Sequence, residues 1–232
     1  MKELQEMKEL QETKEVQKVK ELQEAKEVKV KICGLRRIED MEAVNNIMPD
    51  YIGFVFAKSK RQINLETAAK LKKQLDKRIL AIGVFVNQPI DFIVERYQKG
   101  IIEIVQLHGD EDDEYIHELR KVCDCKIIKA VSIGNALPEL PKAADYLLFD
   151  KLSSQRGGTG ETFDWKVLAD YTGTPYFLAG GLNPENIDDA LHCLTPFGVD
   201  VSSGVEKEGL KDADRMKAFV QRVHRTLGGN GK

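Results

Sequence analysis

The sequence is poor in the features that mark secreted, membrane and metal-binding proteins. Four cysteines in 232 residues are too few for a disulfide scaffold, and Cys123 and Cys125 lack the second pair that would complete a zinc site. No apolar run reaches the ~20 residues that cross a membrane, and the N-terminus has no apolar signal-peptide core. We therefore expect a cytoplasmic protein with reduced thiols and no membrane contact.

The chain also lacks an excess of charge and the spacing of the common nucleotide-binding loops. It has 35 basic and 38 acidic residues, and this balance argues against a nucleic-acid partner. Residues 157–160 (Gly-Gly-Thr-Gly) match neither a Rossmann fingerprint nor a P-loop, so we interpret them as a lid, with a plain connector as the alternative. His108 with a neighbouring aspartate is a poor ligand set, and we expect no metal.

Residues 1–27 form a low-complexity extension that differs from the remaining chain. Segments such as MKELQE repeat every six residues, with an apolar residue at every third position. This step falls short of a helical turn, so the apolar stripe winds around a helix and does not form a coiled-coil seam. We predict a helical or disordered appendage without catalytic residues, and an oligomerisation or docking helix is the alternative. Residues 28–232 would be the catalytic domain.

From residue 28 onward, short apolar runs alternate with amphipathic helical patterns. The predicted strands are 28–33, 51–56, 79–86, 102–107, 126–131, 146–150, 175–179 and 198–202. The predicted helices are 38–47, 65–75, 89–98, 112–122, 135–140, 163–169, 184–193 and 213–227. Eight strand–helix units in about 200 residues predict an α/β protein with a single (β/α)8 TIM barrel. An open, doubly wound sheet is the alternative, because periodicity does not show closure.

In such a barrel the active-site groups follow the carboxyl ends of the strands. Cys33 ends the first strand, with Val28, Val30 and Ile32 on the opposite face. Two arginines follow, a setting that can lower a thiol pKa from its usual value of about 8.5. The alternative is that Cys33 is a small buried hydrophobe.

The loops after the seventh and eighth strands carry small residues with free N–H groups. These residues are Gly180, Gly181, Ser202, Ser203 and Gly204. Barrel enzymes often bind phosphate at these two loops, with help from the N-terminus of a short helix. The pair of loops therefore predicts a phosphate site, although two ordinary tight turns would look the same.

Eight motifs occur in one order along the chain. They are KICGL at 31–35, GFVFAKSKR at 53–61, QLHGD at 106–110, LFD at 148–150, GGTG at 157–160, FDW at 163–165, LAGGL at 178–182 and VDVSSGVE at 199–206. Together they resemble the phosphoribosylanthranilate isomerases of tryptophan biosynthesis, from about residue 28 to the last helix.

The resemblance implies an aldose–ketose isomerase that works without a cofactor on a small-molecule substrate, phosphoribosylanthranilate. Asp150 would be the general acid that opens the ribose ring, and Cys33 the general base at the sugar C2. Arg61 would pair with the anthranilate carboxylate, while His108 and Asp200 would line the pocket. The phosphate would lie on the two glycine- and serine-containing loops. We expect a monomer or a weak homodimer.

Two other functions fit the same pattern. One is a different phosphosugar barrel enzyme, although no predicted strand ends in the glutamate that an indole-glycerol-phosphate synthase would use. The other is a catalytically silent barrel that binds a phosphorylated ligand. The presence of both Cys33 and Asp150 on separate strands favours the isomerase, because a silent barrel has no need of an acid and a base.

Overall fold

A closed ring of eight parallel strands forms the centre of the protein, in a computed structural model that describes residues 27–151 and 164–228. The strands are β1 (Lys29–Cys33), β2 (Tyr51–Val55), β3 (Leu80–Phe85), β4 (Ile104–Leu107), β5 (Lys126–Ile133), β6 (Tyr146–Lys151), β7 (Tyr176–Leu178) and β8 (Gly198–Val201). Each strand pairs with the next along the chain, and β8 pairs back to β1. This last pairing rules out the open sheet and confirms the predicted TIM barrel.

Helices follow most of the strands. The α-helices of the described ranges are α1 (Ile38–Ile47), α2 (Leu65–Lys72), α3 (Ile90–Gln98), α4 (Asp113–Arg120), α5 (Ile187–Cys193) and α6 (Ala213–Gly228). Two 3-10 helices (Trp165–Leu168 and Ser203–Val205) and a hairpin of β9 (Glu206–Lys207) and β10 (Leu210–Lys211) complete the regular elements. Within the described ranges, no helix has the length and apolar character to span a membrane.

All eight predicted strands are confirmed, but the helix predicted at 135–140 is wrong. The chain between β5 and β6 forms bends and irregular backbone there. Pro138 lies inside the predicted span, where its missing N–H and its ring oppose a helix, and Gly134 precedes it. The helix predicted at 163–169 is a short 3-10 helix, and residue 163 lies outside the described residues. The predicted lid at 157–160 and residues 1–26 also lie outside them.

The apolar core has two layers because successive strand residues point to opposite faces. A small cluster fills the barrel interior: Ile82, Ile104, Ile128, Leu148, Phe177 and Ala179. A larger cluster, to which Val30 and Ile32 belong, packs the outer face of the strands against the helices. Lys31 and Cys33 alternate with these residues and face the barrel interior, so the predicted separation of Cys33 from Val30 and Ile32 on opposite faces of β1 is confirmed. The interior is thus apolar below and polar towards the carboxyl ends of the strands.

Removing a side chain from the inner layer should destabilise the whole barrel. Ile82 is fully buried, so Ile82→Ala leaves a cavity, and we expect a loss of about 2–5 kcal/mol in the free energy of unfolding. Urea denaturation followed by circular dichroism measures this loss. Ile38→Ala is the matched control, because Ile38 is 55% exposed and its truncation should change stability by less than about 0.5 kcal/mol. Equal losses in the two variants would contradict the layered core.

Candidate active site

A cavity of about 300 Å³ opens at the carboxyl ends of the strands. The structure brings all the predicted site residues except Gly204 into its wall. These are Cys33, Arg61, His108, Asp150, Gly180, Gly181, Asp200, Ser202 and Ser203. They come from loops and strand ends far apart in the chain, so closure of the barrel is what gathers them. A cavity of this size and polarity suits a small polar ligand.

Cys33 lies at the end of β1, and the neighbouring strand leaves room for its sulfur. A Cβ atom added to Gly53 of β2 would lie 2.7 Å from Cys33 Sγ, so only glycine fits at that position without displacing the thiol. Gly34 then turns the chain with a φ of 84°, a conformation that glycine adopts without strain. The thiol is 8% exposed and contacts the cavity. It is therefore both buried and reachable from the cavity.

The predicted lowering of the thiol pKa is wrong. Burial raises the pKa of Cys33 above its ordinary value, and the nearby positive charges of Lys31 and Lys211 only partly offset that rise. The two arginines that suggested the opposite are occupied elsewhere. Arg36 donates to the carbonyl groups of Lys60 and Gly209, and Arg37 forms an ion pair with Asp40 at 2.6 Å. The resting thiol is thus protonated at neutral pH.

Lys31 contacts two residues of the cavity wall, and the sequence pattern did not single it out. Its side chain is fully buried in the barrel interior, where Nζ donates to Asp200 Oδ2 at 2.8 Å and to Gln106 Oε1 at 2.7 Å. Burial alone would lower the pKa of Lys31, but the negative charge of Asp200, with a smaller contribution from the Cys33 side chain, raises it above its usual value. The signal was present in the sequence as a lysine on the same strand face as Cys33, two residues before it.

Asp150, at the end of β6, is held from two sides. Its Oδ1 accepts a hydrogen bond from the backbone N–H of Lys151 at 2.8 Å, and its Oδ2 lies 3.6 Å from His108 Nε2. The other ring nitrogen of His108 lies 2.8 Å from Gln106 Nε2. A Cβ atom at Gly180 would come within 3.0 Å of Asp150 Oδ1, and Gly180 has a φ of 84°, so glycine is required beside this carboxyl.

One carboxylate oxygen of Asp200, a residue of the cavity wall, is unused by the described residues. Its side chain is 9% exposed, and Oδ2 binds Lys31. Its Oδ1 is buried and has no hydrogen-bond partner within the part of the chain that the structure describes. Because a buried carboxylate oxygen without a partner is costly, this atom is suited to accept a hydrogen bond from a ligand.

The two predicted phosphate loops approach each other closely. A Cβ atom at Gly204 would collide with the carbonyl oxygen of Leu182, so Gly204 lets the loops pack even though it does not line the cavity. The hydroxyl of Ser202 donates to the Cys33 carbonyl at 3.1 Å and is therefore used within the protein. Among the described residues, the backbone N–H groups of Gly181 and Ser203 find no acceptor. These amides are available to an anion.

Arg61 reaches the cavity wall within a second ion network that the sequence did not predict. Its Nε and Nη2 donate to the two carboxylate oxygens of Glu206 at 2.6 and 3.0 Å. Lys211, also buried, donates to Glu206 Oε1 at 2.9 Å and to the Ser202 carbonyl at 2.8 Å. Burial would raise the pKa of Glu206, but Arg61 and Lys211 lower it to about 2. The predicted partner of Arg61 was a ligand carboxylate, whereas Glu206 occupies two of its donors here.

No cluster of three metal-ligating side chains occurs in residues 27–151 and 164–228. The polar groups of the cavity instead suit proton transfer. A thiol and a carboxyl group come from β1 and β6, which two other strands separate in the ring. The two groups can therefore act on different parts of one ligand.

Comparison with known proteins gives a consistent family. The model of the N-(5'phosphoribosyl)anthranilate (PRA) isomerase family matches residues 30–222. The N-(5'-phosphoribosyl)anthranilate isomerase of Thermoanaerobacter sp. (strain X514) is 46% identical over 202 residues, an alignment that covers 84% of this chain and 98% of the relative. The enzyme of the same name from Endomicrobium trichonymphae is 46% identical over 194 residues and is covered to 96%.

Solved structures agree with the sequence relatives. Phosphoribosyl anthranilate isomerase from Thermotoga maritima superposes with a TM-score of 0.75 at 34% identity, covering 85% of this chain and 98% of that chain. A phosphoribosyl anthranilate isomerase in complex with reduced 1-(o-carboxyphenylamino)-1-deoxyribulose 5-phosphate gives a TM-score of 0.72 at 33% identity, with the same coverage. The chain belongs to the phosphoribosylanthranilate isomerase family.

Proposed function

We propose that the protein converts N-(5'-phosphoribosyl)anthranilate to 1-(2-carboxyphenylamino)-1-deoxyribulose 5-phosphate, with Asp150 as general acid and Cys33 as general base. The observation that carries these two roles is their placement. The thiol and the carboxyl group line one cavity from separated strands of the ring. The relative with a bound product analogue supports the same substrate class.

Asp150 begins the reaction as the acid. It gives its proton to the ribose ring oxygen while the bond from that oxygen to C1 breaks and the anthranilate nitrogen forms a double bond to C1. The nearby donors, Lys151 N–H and His108, stabilise the carboxylate that this transfer leaves behind. The resulting protonated imine makes the hydrogen on C2 acidic.

Cys33 first gives its thiol proton to water through the cavity, and the thiolate then removes the C2 proton while the electron pair moves to form an enolamine. A proton added at C1 and one lost from the C2 hydroxyl give the ketone, so the overall atoms are unchanged. The thiolate needs a counter-charge because burial favours the neutral thiol. Lys31 supplies it from the same face of β1.

Three further groups would hold the substrate. The free acceptor Asp200 Oδ1 suits a sugar hydroxyl or the anthranilate amine. Nη1 of Arg61 has no hydrogen-bond partner among the described residues, and it suits the anthranilate carboxylate. The backbone N–H groups of Gly181 and Ser203 suit the phosphate, which their loops would bind with main-chain donors more than with hydroxyl groups.

The exposed surface and the cysteines of the protein bear on its oligomeric state and its location in the cell. The exposed large apolar side chains of the described residues (Ile38, Leu80, Val122 and Leu210) are few, which suits a monomer or a weak homodimer. A Thermotoga maritima relative is described as dimeric. All four cysteines are free thiols, as in proteins of the reducing cytoplasm.

Loss of either proposed proton-transfer group should abolish most of the activity. We expect Cys33→Ala and Asp150→Asn each to lower turnover by at least about a hundredfold, the usual scale for a general acid or base, with unchanged circular dichroism. The decrease in anthranilate fluorescence of freshly generated substrate gives the rate. Cys193→Ala, at an exposed thiol, is the matched control and should keep wild-type turnover. Near-normal turnover of a site variant would remove that residue from the mechanism, and an inactive, folded wild type would favour the silent barrel.

The raised pKa of Cys33 predicts how the thiol reacts without substrate. Only the thiolate is alkylated, so the rate of Cys33 modification by iodoacetamide should still be climbing at pH values above the ordinary thiol pKa of about 8.5. Peptide mass spectrometry quantifies the modification. The same peptide in urea-unfolded protein is the control, and its midpoint should be lower because burial is lost. A midpoint near neutral pH in the folded protein would show a stabilised resting thiolate instead.

Residues 28–232 should function without the repetitive extension. The family match begins at residue 30, so we expect deletion of residues 1–27 to leave kcat and KM within about twofold of wild type. Sedimentation equilibrium of the full chain and of the shortened chain should give the same association state. Loss of activity or solubility would assign a structural role to the extension, and a change from dimer to monomer would make it an oligomerisation helix.

A further inference from the structure

A chain of hydrogen bonds crosses the barrel interior from β8 to His108, which follows the end of β4. It begins at Asp200, passes through Lys31 and Gln106, and reaches His108, whose far ring nitrogen faces Asp150. Lys31 and Gln106 are 0% and 1% exposed, so water does not compete for these contacts. The donor and acceptor at each of these hydrogen bonds therefore follow from the chemistry of the side chains that form them.

The direction of each bond follows from Lys31. An ammonium group only donates, so the Gln106 atom that lies 2.7 Å from Lys31 Nζ must be the amide oxygen. The amide nitrogen of Gln106 must then face His108 Nδ1, at 2.8 Å, and it can only donate there. His108 Nδ1 is consequently an acceptor without a proton. The neutral ring carries its proton on Nε2, the atom that faces Asp150 Oδ2.

We propose that Lys31, acting through Gln106, is a positioning residue that holds His108 in the neutral Nε2–H form, with its donor directed at Asp150. This inference rests on the proposed role of Asp150 as the acid. A neutral donor is the suitable partner for such an acid. A full positive charge 3.6 Å from Oδ2 would favour the ionised carboxyl before the reaction, whereas a neutral N–H at this distance can approach and donate to the carboxylate once its proton has left.

The tautomer is measurable without any assay of activity. In protein with 15N-labelled histidine, at alkaline pH where imidazole is neutral, we expect a pyridine-type Nδ1 and a pyrrole-type Nε2 for His108. The variant His108→Asn assigns the signals by their loss. His192 is an internal reference for the opposite form, because its Nδ1 lies 2.6 Å from the Asp188 carbonyl oxygen and must donate to it. A wild-type His108 with its proton on Nδ1 would overturn the proposal.

Gln106→Glu tests the transmission from Lys31. Both carboxylate oxygens of the new side chain only accept, so His108 Nδ1 should gain a proton, and kcat should fall about tenfold while KM stays within about twofold. Lys129→Met is the matched control, since Lys129 is another buried lysine, which donates to Glu111 and to the Gly109 carbonyl. It should leave the His108 tautomer unchanged.

The outcomes separate this inference from the proposed function. An unchanged tautomer in Gln106→Glu, or the same change in Lys129→Met, would overturn the role of Lys31 and Gln106 even if Asp150→Asn is inactive. If Gln106→Glu does not fold, the 15N spectrum of Lys31→Met is the test. Without Lys31 the Gln106 amide can rotate, so His108 should show a mixture of the two tautomers. If the tautomers are as expected but Asp150→Asn is active, the proposed role of Asp150 as general acid is wrong. The proposed order of hydrogen bonds from Lys31 to His108 is then still supported.

Discussion

The structure depends on one buried charge, the ammonium group of Lys31 at the seam where the barrel closes. Lys31 and Asp200 are direct partners in the register of β1 and β8, and their side chains form an ion pair of 2.8 Å with almost no exposure to water. Removing one partner of such a pair is costly because it leaves a charge uncompensated in the interior. A shift of β8 by one residue would also direct Asp200 to the outer face of the strand. The ion pair therefore favours a single register of the closing strand and, with it, the placement of the cavity wall.

The same lysine links the two proposed proton-transfer groups. It lies on the face of β1 that carries Cys33, and it reaches His108 and Asp150 through Gln106. Its positive charge favours the thiolate form of Cys33. Because an ammonium group only donates hydrogen bonds, Lys31 also determines which atoms of Gln106 and His108 donate and which accept. Burial favours the protonated resting thiol, so Cys33 has to lose its proton before it can act as the base, and it becomes neutral again when it takes the C2 proton. A resting neutral thiol next to a permanent cation avoids a buried thiolate in the free protein.

Local patterns in the sequence were sufficient for the elements but not for the networks between them. Alternation and helical periodicity located all eight strands, and the residues at strand ends located Cys33 and Asp150. The predicted helix at 135–140 is wrong because Pro138 opposes a helix more strongly than the apolar spacing favours one. Lys31 and its partner Asp200 are 169 residues apart in the sequence, and Arg61 and Glu206 are 145 residues apart. No local sequence pattern predicts partners at such separations. The predicted lowering of the Cys33 pKa was wrong because the two arginines that follow Cys33 in the sequence bind other groups in the structure.

The end of β8 connects the proposed phosphate site to the proposed base. Ser202 donates to the carbonyl of Cys33 itself, and its own carbonyl accepts from Lys211, which also binds Glu206 and, through it, Arg61. Two cations and one carboxylate thus stabilise the loop from behind, and the residues that carry its available backbone N–H groups line the cavity. A phosphate held by those amides lies on a loop that is one hydrogen bond from the strand end that carries the thiol. The proposed phosphate site and the proposed base therefore belong to one hydrogen-bonded unit. Through such a unit, the binding energy of the phosphate can align the reacting atoms of the substrate with Cys33.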